Sequence, residues 1–252
     1  MVMVLIPLTG ISQFTQELLN EKPFKPGEKL NYVVKFGPIV GGSASLLLKQ
    51  EMLNNIPVYH SVAQAKTVGV TEKLYGVKDV FESYFDIHSG LPYKLIRDVK
   101  EGTYKKHEEA VFNRQRNSVY SLRLDTVIQV SPDILDMVSL LYFIRSINYN
   151  KVKPGDVIRT VTFFDDEIFP FDIRYKGKEE VKTKFGKIRC HRFDPVVEPG
   201  RMFESEDDMQ IWLSDDKNVI PIKVRFDLLV GSLRMELDEF ANIKYPLMFK
   251  KD

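Results

Sequence analysis

Two groups of residues in this 252-residue chain have types and spacing that suit chemistry. Lys105, His107 and Glu109 stand two apart, so on a β-strand they share one face, and Tyr104 opens the same segment. Such a row supplies acid–base groups, although an ordinary exposed strand face has the same composition. Trp212, the single tryptophan, falls on the opposite strand face from Met209, Ile211 and Leu213. An indole on the polar row is a platform for a sugar or lipid group. The competing reading is plain core, because tryptophan is highly buried on average. Trp212, Tyr104 and His107 are therefore the candidate ligand-binding residues.

The other reactive side chains form no recognisable constellation. His60, His88, His107 and His191 show no helical i, i+4 pair and no thiol partner at zinc spacing. Cys190 and His191 are adjacent, so on a strand they point to opposite faces. Gly41-Gly42-Ser43 lacks the downstream lysine and helix of a phosphate loop, and no Gly-x-Ser-x-Gly elbow occurs. The acidic runs Asp165-Asp166-Glu167 and Glu204 to Asp208 do not match a calcium loop. Asp215-Asp216-Lys217-Asn218 has the composition of a turn between strands. No metal site and no cofactor are implied, and no catalytic residue is assigned.

The elements that must position these residues are strands. Leu30, Tyr32, Val34 and Phe36 alternate with Asn31, Val33 and Lys35. The same period recurs at Ile220–Phe226 and Leu233–Leu237. Less regular runs lie at 44–48, 58–67, 80–87, 93–99, 104–112, 119–124, 157–163, 171–175 and 209–213. About a dozen strands are predicted, enough to require closure or two packed layers to remove the edges. Turns are expected at Gly41-Gly42, Asn54-Asn55, Glu101-Gly102, Lys176-Gly177 and Gly231-Ser232. A two-residue turn at Glu101-Gly102 sets Asp98 opposite Lys105 and Lys94 opposite Glu109, but also Arg97 opposite Lys106. One segment breaks the pattern. Ser131-Pro132-Asp133 reads as a helix start, and residues 133–147 are apolar on most sides, which predicts a buried helix across the mouth or concave face of the sheet. The fold class expected is all-β, mainly antiparallel, curved and barrel-like, with this one helix.

Composition narrows the function. Lys plus Arg number 36 against 35 Asp plus Glu, which leaves no broad basic surface for nucleic acid. With one cysteine there is no intramolecular disulfide. Residues 1–12 read as the back half of a secretory signal, with the apolar run Val2–Leu8 and small residues Gly10 and Ser12 before Gln13. No Lys or Arg precedes the run, so a buried first strand is the other reading. No segment is apolar enough to span a membrane as a helix. No linker divides the chain, and residues 13–252 are expected to form one β-rich domain.

An ordered set of segments carries a resemblance. Pro26-Gly27-Glu28-Lys29-Leu30-Asn31-Tyr32, Phe36-Gly37 and Gly42-Ser43-Ala44 open it. Asp79 to Phe85, Gly90-Leu91-Pro92, Glu101-Gly102-Thr103-Tyr104, the helix, and Lys153-Pro154-Gly155-Asp156 follow. Ile211 to Asp216 and Ile220-Pro221 close it. From about Phe24 to Phe240 the chain resembles the exported bacterial family catalogued as domain of unknown function 3108. The resemblance implies an envelope protein with a barrel-like antiparallel fold and transfers no catalytic residue. The expectation is a periplasmic or envelope protein that binds a glycan or lipid-like ligand. The alternatives are an enzyme acting on polysaccharide and an envelope assembly factor.

Overall fold

The computed structural model describes residues 21–196, 208–228 and 231–251. Residues 1–12 and most of the acidic run from Glu204 lie outside them. The first eight strands form an antiparallel meander. They are β1 (Lys29–Phe36), β2 (Ile39–Leu53), β3 (Ile56–Thr67), β4 (Lys78–Asp86), β5 (Pro92–Glu101), β6 (Tyr104–Asn113), β7 (Ser118–Ser121) and β8 (Thr126–Gln129). A second group follows as β9 (Val157–Ile158), β12 (Ile173–Thr183), β13 (Gly186–Pro195), β14 (Met209–Ser214), β15 (Pro221–Asp227) and β16 (Ser232–Ala241). Between them, β10 (Val161–Phe164) and β11 (Glu167–Pro170) make a separate hairpin. Strand β16 returns to pair with β1, which fuses both groups into one 14-stranded sheet ordered β8-β7-β6-β5-β4-β3-β2-β1-β16-β15-β14-β13-β12-β9.

Among the described residues this pairing order is open, and the sheet does not close on itself by hydrogen bonds. Its edge strands have only four and two residues, which keeps the unpaired edges short. Register shifts at Asn31/Tyr32, Val34/Lys35, Tyr84/Phe85, Tyr175/Gly177 and Trp212/Leu213 bend the sheet.

Several expectations from the sequence are corrected. The main helix, α2 (Met137–Arg145), is shorter than 133–147. Leu135 is held in a bridge with Thr162, donating to the Val161 carbonyl at 3.0 Å and accepting from the Phe163 amide at 2.8 Å. Those bonds exclude helix there, so the N-cap is Asp136 rather than Ser131. The Asp136 carboxylate accepts from the amides of Val138 and Ser139, and the Ser139 hydroxyl accepts from the Asp136 amide, which completes a capping box. Residues 157–163 are split between β9 and β10 rather than forming one strand. A short helix, α1 (Val70–Leu74), was not expected. Gly41-Gly42 lies inside β2, and Lys176-Gly177 forms a bulge in β12 rather than a turn. Asn54-Asn55 is the turn expected, with φ of 50° and 65° suiting a two-residue hairpin. At the β5–β6 tip the turn is Gly102-Thr103, because Gly102 takes a positive φ of 57°. Asp98 therefore faces His107 and Arg97 faces Glu108, so Arg97 and Lys106 are not directly opposite; they share the carboxylates of Glu108 and Asp165, which offset their repulsion.

The helix packs on one sheet face through a row of small and apolar residues. Leu48, Ser61, Ser83, Leu95, Ala110 and Ser121 are successive cross-strand partners, and all are buried. Serine at 61 and 83 lets the helix approach closely, and both hydroxyls are used. Ser61 donates to the Tyr142 hydroxyl at 3.1 Å, and Ser83 to the Asp136 carboxylate at 2.5 Å. Around them Phe24, Phe85 and Tyr142 pack with ring centroids 4.7–5.1 Å apart. The β10–β11 hairpin completes the cover, with Phe163 against Phe112.

Candidate functional site

The C-terminal end of α2 is where polar chemistry and open space meet. Arg145, in the last turn, is fully buried and forks onto Glu28 with contacts of 2.6 and 2.9 Å. It also donates to the carbonyls of Asn218 and Val219, both at 3.1 Å. Its guanidinium lies over the rings of Phe24 and Tyr142. Five donors in a rigid fork explain why arginine serves here: it ties the helix, the start of β1 and the β14–β15 turn at one point. In that turn, as the sequence suggested, Asp216 accepts from the amides of Asn218 and Val219.

Two cavities flank this point. One, of about 420 Å³, is polar and is lined by Glu21, Arg145, Asn148, Tyr149, His191, Asp215, Lys217 and Tyr245. The other, of about 330 Å³, is more apolar, with Phe24, Phe85, Ile87, Tyr142 and Phe143 as walls and Lys22, His88, Ser89 and Ser146 as polar groups. The segment Glu21–Phe24 runs between them. Glu21 lines both, Pro23 the first, and Lys22 and Phe24 the second. Lys22 is fixed by the carbonyls of Ile87 and His88, each at 2.6 Å, and burial lowers its pKa.

The wall of the polar cavity carries a relay of three side chains. The Tyr175 hydroxyl meets His191 Nδ1 at 2.9 Å, and His191 Nε2 meets the Asp215 carboxylate at 3.0 Å. Burial pushes the His191 imidazole down to about 4, against the opposing pull of Asp215. The ring is thus neutral at pH 7, with Nε2–H donating to Asp215 and Nδ1 accepting from Tyr175. Both nitrogens are engaged, so neither is open to a substrate proton. Tyr149 packs on this ring at a tilt, with centroids 4.4 Å apart, and donates to the Ile144 carbonyl at 2.5 Å. Cys190, next in sequence, is buried, and burial lifts its thiol to about 12, which removes it as a nucleophile.

The residues picked from the sequence lie elsewhere and apart. His107 is exposed on β6 and pairs with Asp98 at 2.7 Å, while Glu109 pairs with Lys94 at 2.7 Å. Tyr104 is exposed at the start of β6. Trp212 lies eight strands away on β14 and is only 6% exposed. Its ring sits between Lys223 and Arg192, and its indole N–H donates to Glu179. It lines neither cavity beside the helix. The cavity residues themselves gave one readable signal: Arg145 is a charge inside the apolar run 134–147.

Fold and cleft together define a class: a curved antiparallel sheet with a helix across one face and open space at the helix end. The chain belongs to the family described as Protein of unknown function (DUF3108), whose model matches residues 31–238. Among solved structures, a β-barrel-like protein of the domain of unknown function DUF1849 from Brucella abortus aligns with a TM-score of 0.53 at 8% identity. It covers 84% of this chain and 96% of that one, a likeness of fold alone. A DUF1089 family protein from Pseudomonas aeruginosa aligns with a TM-score of 0.40 at 8% identity, over 74% and 89%. No curated protein matches the chain. Among the described residues, no helix is long and apolar enough to cross a membrane.

Proposed function

We propose that this protein is an exported envelope protein that binds an amphipathic ligand in the cleft at the end of α2 without altering it covalently. The observation that carries this reading is the pairing of an apolar cavity of about 330 Å³ with a polar one of about 420 Å³ across the Glu21–Phe24 segment. Each falls in the size range of small-molecule pockets, and apolar walls with a few fixed polar groups orient an amphiphile. Tyr142 and Phe143 take the chain, while Asn148 and Lys217 face the head group. A glycan is the second reading. It is favoured by a depression of about 590 Å³ where Asn31, Ser43, Gln64 and Asp79 stand among Tyr32, Val33 and Val80, with Lys66 and Lys78 at its wall.

Decyl maltoside, titrated as monomer into the full chain, tests the cleft. Saturable stabilisation is expected, about 2.7 kcal/mol at a hundred times Kd, with the amphiphile recovered intact by mass spectrometry. His88→Trp, which sets an indole at the mouth of the apolar cavity, weakens binding at least severalfold. Cleavage of the ligand, or binding indifferent to His88→Trp, contradicts the reading. Trp212 emission stays constant, because that ring lines neither cavity. Fractionation of the producing cell and sequencing of the mature N-terminus tests export, and a full-length chain in the cytosol contradicts it.

A further inference from the structure

At the end of the sheet remote from the cleft, four lysines stand in one cross-strand row. Lys66 faces Lys78, and Lys100 faces Lys105. The register that pairs Val80 with Asp98 and Val77 with Glu101 sets Lys78 opposite Lys100. The row thus crosses β3, β4, β5 and β6 on one face, over about 14 Å at the usual strand spacing. All four side chains are exposed, and none makes an ion pair among the described residues. Like charges directly opposite each other destabilise a sheet, so folding alone does not favour this row.

The acids nearby do not neutralise it. Asp98 pairs with His107, Asp79 accepts the Lys100 backbone amide at 3.0 Å, and Glu72 and Glu101 remain at the loop level. Just beyond the row, the loops at this end carry exposed apolar side chains. Val70 and Leu74 on the β3–β4 connection are 73% and 81% exposed, and Ile39, Val40, Tyr75 and Tyr104 are exposed beside them. These loops hold one another: Val68 N–H donates to the Gly41 carbonyl at 3.0 Å, and Gly102 N–H to the Gly76 carbonyl at 2.8 Å. The apolar tips therefore form one rim beyond the row: Val40 and Ile39 lie three and four residues past Ser43, the partner of Lys66, while Val70 and Leu74 lie four residues from Lys66 and Lys78.

We propose that this end docks on an anionic phospholipid surface, with Val70, Leu74, Ile39 and Val40 entering the interface and the lysine row meeting the phosphates. The order matches an interfacial contact, in which apolar groups sink about 5–10 Å and basic groups behind them stay at the head groups. A soluble polyanion satisfies the lysines but leaves the apolar rim in water, which is why the lipid surface is the occupant. The site is independent of the cleft reading.

Co-sedimentation of the full chain with vesicles tests it, using phosphatidylglycerol mixed with phosphatidylcholine against phosphatidylcholine alone. Selective, salt-sensitive binding to the anionic vesicles is expected. Lys78→Gln/Lys100→Gln reduces it about tenfold or more. Leu74→Ser also reduces it, and because Leu74 lies outside the core that variant keeps its melting temperature. All chains share residues 1–20, so any affinity of that segment is common to the comparison. Equal binding to both vesicle types overturns the proposal, as does binding undiminished in both variants. Capture of polyphosphate without capture of vesicles assigns the row to a soluble polyanion instead.

Discussion

Two cross-strand rows of this sheet are built on opposite rules. Leu48–Ser61–Ser83–Leu95–Ala110–Ser121 is buried under α2, and the two serines beneath the helix spend their hydroxyls on Tyr142 and Asp136. Lys66–Lys78–Lys100–Lys105 lies in water, and among the described residues its ammonium groups pair with no carboxylate. In the first row, and in the Glu28–Arg145 pair behind it, charges and hydroxyls are satisfied inside the molecule because an orphan there is costly. In the second, satisfaction is left to whatever binds. Charge removal should therefore destabilise the first region and stabilise the second.

The largest effect is expected at the buried ion pair. Arg145→Met strands the Glu28 carboxylate and should cost about 3–5 kcal/mol in urea melts, while adding Glu28→Gln should restore much of that loss. A cost below about 1 kcal/mol would mean that water reaches the pair. The next effect is one of pH. The folded His191 pKa of about 4 lies below the ordinary 6.5, so between those values the unfolded chain binds more protons than the folded one. Stability should fall as pH drops from 6.5 to 4, by about 2 kcal/mol after allowing for solvent screening, and level off below. His191→Gln should flatten that part of the profile; an unchanged slope would show that the imidazole is not held neutral.

Asp136→Ala should cost about 1–2 kcal/mol by removing the N-cap, with Ser83 left without its acceptor. Such a change measured at the surface value of a few tenths would place the cap in solvent. The smallest effect has the opposite sign. Lys78→Gln separates three like charges and should raise stability by about 0.2–1 kcal/mol. A loss of stability there would erase the contrast between the two rows.

Much of this was legible from the sequence. Alternation located the strands, because one face of each is wet along most of its length, as at Leu30–Phe36 and Leu233–Leu237. Strand β13 escaped because its alternation at Lys187–Cys190 breaks at His191, after which Phe193 and Asp194 are buried on both faces. The helix announced itself by its apolar run, but its start was set by the Leu135–Thr162 bridge, a long-range contact that local capping signals do not encode. The cleft was not legible, since Glu21, His191 and Lys217 meet only through the return of β14 and β15. The lysine row was half legible: Lys105 was read, but its alignment with Lys66, Lys78 and Lys100 depends on three registers at once. Reading the β5–β6 turn at Glu101-Gly102 shifted one of them by two residues and hid the row.

Hydrogen exchange on the full chain, with and without phosphatidylglycerol-containing vesicles, tests the division of labour between the two ends most directly. The vesicles should slow exchange at residues 68–78 and 100–105 and leave residues 86–91 and 142–149 unchanged. Protection confined to the cleft segments, or spread evenly over both ends, would contradict the account.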